Sequence, residues 1–226
     1  MRRDLRACAA LLAVAAVALL AGCGGSDGGG GSGKSATTKS TATSGVKLGP
    51  AFGSMAKLPG LLTSPPPWPA NNDDSTLQLR LRAIGLDPLT AEGQVVHIHQ
   101  HLDLYADGKK ITVPAQIGIA SSGGFISDLH THDATGNMHV EAAEVRSFSL
   151  GQFFAVWGLR LDAKCLGSLC AAAGKQLKVW VDGQPVPGDP TRIVLEEHQE
   201  IVLAYGRPDQ EPNPIPKTYD FAAAGL

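Results

Sequence analysis

Residues 95–113 read VVHIHQHLDLYADGKKITV, and two patterns in them decide the fold. Side chains alternate from Val95 to Tyr105, the period of a strand with one buried face. Asp107-Gly108 is a two-residue hairpin signal. With that turn, Leu104 falls opposite Ile111 and Leu102 opposite Val113, so the apolar residues of both strands share one face. His97, His99, His101 and Asp103 are assigned to the other face, because successive side chains of a strand point in opposite directions.

A second hairpin is expected in DLHTHDATGNMHVE, residues 128–141. A turn at Thr135-Gly136 sets His132 opposite His139 and His130 opposite Glu141, all four on one side, with Asp133 and Met138 on the other. A slip of one residue would break that match. Between His97 and His139 the chain places six of its seven histidines.

Elements outside the two hairpins complete the fold class. In STLQLRLRAI, residues 75–84, Leu77, Leu81 and Ile84 share a helical face, with Asp74 or Ser75 as cap and Gly85 as terminator. SFSLGQFFAVWG, residues 147–158, is the clearest helix. Ser149 and Gln152 form a capping box, Phe148 and Phe153 a hydrophobic staple, and Leu150, Phe153, Phe154 and Trp157 an apolar stripe. LKVWVDGQPVPGD, residues 177–189, is a third hairpin with Asp182-Gly183 at its tip. EIVLAYG, residues 200–206, is a last strand with Ile201, Leu203 and Tyr205 inward. The sum is an α+β domain, an antiparallel or mixed sheet built from hairpins and backed by one main amphipathic helix. A β-grasp-like arrangement is the specific expectation.

At the start of the chain three arginines precede an apolar run from Ala7 to Ala21, the anatomy of a secretory signal over residues 1–22. Leu20-Ala21-Gly22-Cys23 resembles the lipobox of bacterial lipoproteins. The resemblance implies cleavage before Cys23, acylation of that residue and a cell-membrane location on the extracytoplasmic side. Residues 23–73 follow as a Gly/Ser/Thr-rich and then Pro-rich tether, expected to be extended rather than packed, with a reach of about 40 Å. Residues 74–206 form the single globular domain. Residues 207–226 form a Pro-rich tail, expected to be mobile. A net charge of −2 without a basic stripe disfavours nucleic acid. In an oxidising compartment Cys165 and Cys170 are expected to pair; soft metal ligation is the alternative, without the usual C-x2-C spacing.

Three histidines at alternate strand positions are hard to justify structurally, whereas imidazole is the commonest metal ligand at neutral pH. The candidate site is His97, His99, His101, His130, His132 and His139, with Asp103 and Glu141 as further ligands or as carboxylates that orient the rings. Such a set suits copper or zinc. The function expected is storage, delivery or sensing of a transition metal, with a metal-accepting or cell-envelope protein as partner. The alternative is a cell-surface interaction module with a polar or pH-responsive histidine patch; a metal-dependent hydrolase stands third. Met138 points away from the site, and His198 reads as isolated and exposed.

DLHTHD resembles the metal motif of histidinol-phosphatase-type phosphoesterases, and HIHQH the HxH of amidohydrolases. Those enzymes are built on barrels, for which this chain has neither the length nor the βα alternation. Together, HxHxHLD, DGKxITVPAxIGI, LHTHDxTGxxHxE and FxLGQFFxVWG resemble an uncharacterised family of exported or membrane-anchored bacterial proteins. That resemblance covers most of residues 77–206 and implies an extracytoplasmic setting without a mechanism.

Overall fold

The structure, a computed structural model, describes residues 45–226; the expected signal, Cys23 and the tether up to residue 44 lie outside the described residues. Strand β1 (Val96–Ala106) runs into β2 (Lys109–Ile111) through Asp107-Gly108, both at positive φ, 50° and 78°. Leu104 pairs with Ile111 as the alternation requires. Val113, expected opposite Leu102, lies beyond the ladder but is buried in the same core.

The second hairpin forms with a different register. Its strands are β3 (Leu129–His130) and β4 (Asn137–Ala142), and His130 pairs with His139, not His132. The expected turn at Thr135-Gly136 is replaced by a wider loop over residues 131–136. Asp133 closes it by accepting the Thr135 N–H at 2.9 Å. Gly136, at φ 100°, accepts the Leu102 N–H at 2.9 Å and so sews the loop to β1. A Cβ there would sit 2.7 Å from the Leu102 carbonyl oxygen, so only glycine fits. The register moves by two residues, and His130, His139 and Glu141 therefore keep a common face.

After β4 comes α2 (Leu150–Trp157), with the Ser149–Gln152 capping box and a left-handed Gly158, as the sequence requires. β5 (Cys165–Leu166) and β6 (Leu169–Cys170) make a small separate ribbon closed by the Cys165–Cys170 disulfide. β7 (Gln176–Val181) and β8 (Gln184–Pro185) form the hairpin around Asp182-Gly183, and β9 (Gln199–Gly206) ends the sheet. Spatial order is β3-β4-β1-β9-β7-β8, with β2 following β4 along the same edge of β1. β1 and β9 are parallel; the other pairs are antiparallel. Counting β1, β4, β7, β8 and β9 alone, the order is second, first, fifth, third, fourth, with α2 between second and third. This is β-grasp-like connectivity.

One face of the sheet, through Leu102, Leu104, Val140, Val179, Ile201 and Leu203, packs with Phe153, Phe154 and Trp157 of α2 in a single core. α1 (Asp74–Ala83) packs beside α2. Its cap is Asp73, whose Oδ1 accepts the Thr76 N–H at 3.0 Å. Asp74, an expected cap, instead holds the loop at Ser121 and Ser122. Arg80 of α1 is completely buried and donates to the carbonyls of Val156 and Asn71, a cation at the C-terminal end of α2.

Both flanking segments are packed, in contrast to their expected behaviour. Residues 45–73 are extended but lie on the helix side, anchored by Met55 and Trp68. The Trp68 ring meets Trp157 edge-on at 6.4 Å, and the Trp157 indole donates to the Pro69 carbonyl. Residues 207–226 cross the opposite face, where Ile215 packs on Trp180, Val202 and Ala204. Phe221, in α3 (Phe221–Ala224), is buried there too. Proline lowers the entropy lost on ordering an extended strand, so a few aromatic anchors hold these arms down. No helix among the described residues is long and apolar enough to cross a membrane.

Candidate metal centre

β1 and β4 lie side by side with His97 opposite Glu141 and His99 opposite His139. β3 adds His130 beside His139, and the loop that follows brings in His132. Five imidazoles from three strands and a loop thereby surround one carboxylate. Glu141 Oε1 lies 3.1 Å from His139 Nδ1, 3.4 Å from His97 Nε2 and 3.9 Å from His130 Nε2. The rings pack closely: His99 and His132 meet His139 edge-on at 4.7 and 4.6 Å, and His130 stacks on His139 at 5.2 Å.

Exposure is graded across the cluster. His130 and Glu141 are buried and His99 and His139 nearly so, while the side chains of His97 and His132 are 49 % and 43 % exposed. Glu92, missed in the sequence, completes the open rim with its Oε1 3.3 Å from His132 Nε2. The neighbouring Gly93 makes that possible, because a Cβ at this position would collide with the backbone of Ala142.

Burial, with repulsion from His132 and His139, pushes His130 down to about 3. Burial, with His132 and His99 next, pushes His139 down to about 4. His99 is lowered by burial and by His97. These three rings are therefore neutral at neutral pH and carry free lone pairs. His130 Nδ1 donates to the Ser127 carbonyl at 3.0 Å, which leaves the lone pair on Nε2. That atom faces His132 Nε2 at 3.2 Å. Two nitrogens bound to one tetrahedral zinc are about 3.3 Å apart, given bonds of about 2.0–2.1 Å. Burial and nearby Glu92 raise the Glu141 carboxyl; a cation at this position would offset both effects.

The donor set fits a metal in a second respect. His99 Nε2 and Glu141 Oε2 are buried without a hydrogen-bond partner, and such atoms are costly unless something occupies them. Candidate ligand atoms of His130, His132, His139 and Glu141 all lie within 4.8 Å of one another, as do those of His97, His99 and Glu141. These clusters could hold a metal ion.

His101 and Asp103 do not join them. In β4 the partner of His101 is Asn137, and its ring turns instead to β9, where Glu200 is its parallel partner. His101 Nδ1 meets Glu200 Oε2 at 2.7 Å, Nε2 meets the Thr135 carbonyl at 3.0 Å, and Tyr219 of the tail stacks on the ring at 4.0 Å. Asp103 Oδ1 is engaged by Lys110 at 2.6 Å. His101, Asp103 and Glu200 form a separate buried group whose ligand atoms also lie within 4.8 Å of one another and could hold an ion of their own. His198 is half-exposed but not isolated. Its N–H donates to the His99 carbonyl, its ring stacks on Phe221, and with Glu197 it lies within ligand distance of His99. The acidic run before the last strand was visible; the parallel pairing that brings it to β1 was not.

Fold and site together define an α+β domain with a histidine- and carboxylate-lined face. Compared with known proteins, the chain matches no family model, and no curated protein or solved structure is significantly similar to it.

Proposed function

We propose that the protein binds a divalent transition metal, copper or zinc, at His97, His99, His130, His132, His139 and Glu141. The observation that carries this reading is the convergence of five imidazoles, three of them held neutral by burial, on one buried carboxylate. An imidazole set with one oxygen donor suits Zn(II) and Cu(II), and affinity order favours copper. Met138 faces the core, so the site lacks the soft sulfur that would favour Cu(I). Half-exposed His97 and His132 receive the ion and the buried rings retain it, in storage, delivery or sensing. Acylation at Cys23 holds the domain at the outer side of the membrane, within reach of a metal-accepting envelope protein.

The test is titration of the full chain, in detergent and stripped by chelator, with Zn(II) and Cu(II). Dissociation constants below about 1 μM are expected, together with marked weakening in a His99→Ala, His132→Ala variant. Binding no tighter than micromolar, or unchanged binding in that variant, sinks the reading.

A further inference from the structure

The ligand atoms do not gather around one point. They fall into two groups, His130–His132–His139 and His97–His99, and Glu141 belongs to both. We infer that this face is a dinuclear centre, two metal ions side by side with the Glu141 carboxylate shared between them; the inference rests on the metal-binding reading above. Five imidazoles and a carboxylate exceed the four donors that a closed tetrahedral zinc site takes. Shared through Glu141, they give one ion four donors and the other three, so only the second keeps an open position.

Geometry assigns the halves. On one side, His130 Nε2 and His132 Nε2 are 3.2 Å apart with Glu141 Oε1 3.9 Å from His130. On the other, His97 Nε2 is 3.4 Å from the same oxygen, and the neighbouring His99 presents a buried, unpartnered Nε2. The His139 ring stands between the halves, stacked on His130 and edge-on to His99. Glu141 also has an oxygen to spare, since Oε2 is buried and unpartnered. A shared carboxylate holds two ions about 3.5–4 Å apart, which the two strands, adjacent in the ladder, can straddle. Each half has one half-exposed imidazole, His97 or His132. Both ions therefore have a route to solvent, and the His97–His99 ion keeps the position for an incoming oxyanion or water.

The experiment is a Zn(II) titration of the full chain followed by metal analysis, and a parallel Cu(II) titration followed by electron paramagnetic resonance. Saturation at about two equivalents is expected. The copper spectrum should change from an isolated-ion signal at half loading to a spin-coupled pair at full loading. His97→Ala and His132→Ala, both near the surface, should each weaken one binding step about tenfold or more and spare the other. Glu141→Gln should abolish the spin coupling. Saturation at a single equivalent overturns the dinuclear centre while leaving the metal-binding reading intact. Two equivalents with uncoupled copper overturn it as well. Absence of any binding removes both.

Discussion

His101 and Glu200 face each other across the parallel strands β1 and β9, with imidazole Nδ1 2.7 Å from carboxylate Oε2 and both side chains buried. The ring's other nitrogen is taken by the Thr135 carbonyl, so this histidine fastens the loop between β3 and β4 to the sheet. Burial raises the Glu200 carboxyl while the His101 hydrogen bond lowers it. Removing one member of a buried pair strands the other. His101→Ala is expected to cost about 3 kcal/mol in chemical denaturation, with metal stoichiometry unchanged. Loss of an equivalent of metal in a folded variant would return His101 to the ligand set.

Acid should destabilise the metal-free protein. An unfolded histidine takes a proton as pH falls through about 6.5, whereas folded His130 and His139 resist until about 3 and about 4. The unfolded state thus binds more protons across that window. The stabilisation is present above about pH 6.5 and lost progressively as pH falls toward 4. Glu141, raised, acts with the opposite sign, its contribution being lost as pH rises through its folded value. Melting temperature should fall between pH 7 and pH 4, and less steeply in His139→Gln. A flat profile would show that these rings protonate freely in the fold.

The C-terminal arm should behave as part of the domain. Ile215 covers Trp180, and Tyr219 and Phe221 cover His101 and His198. Limited proteolysis read by mass spectrometry is expected to leave residues 207–226 attached. Deleting them should increase tryptophan quenching by acrylamide. Rapid clipping after Gly206 would contradict the packed arm.

Cys165 and Cys170 close a loop with a sequence separation of 5. By loop entropy alone, replacing both with alanine should cost about 2 kcal/mol. The same loss is expected on reduction of the parent protein, measured by urea denaturation with and without reductant.

Anchoring is tested by fractionation. The parent chain should partition with membranes and incorporate a labelled fatty acid, and Cys23→Ser should abolish both. Unchanged labelling in that variant would dismiss acylation at this cysteine.

Much of the fold was legible because its signals are local. The Ser149 capping box, the Asp-Gly turns and the strand at β1 depend on neighbours within a few residues, and each appears where expected, although β1 is buried on both faces from His99 to Leu104 rather than on one. The β3–β4 register was not legible. Asp133 bonds back to Thr135 and closes a wider loop than the two-residue turn, and the pairing with Leu102 that fixes it is tertiary. His101 was lost from the site for a similar reason: its fate depends on Glu200, almost a hundred positions away. Glu92 and His198 entered through strand adjacency. The two arms were misjudged because proline content was weighed above Trp68, Tyr219 and Phe221.

The wide loop between β3 and β4 also sets which length changes the histidine face can survive. Strand faces repeat every two residues, so the ladder can absorb the gain or loss of a dipeptide between His130 and His139 with the imidazoles still outward. A one-residue change that slid β4 along β1, instead of being taken up within the loop, would turn His139 and Glu141 toward α2 and bring Met138 and Val140 out. Length changes in this loop that reach the ladder, in evolution or in the laboratory, should therefore be tolerated by parity rather than by size.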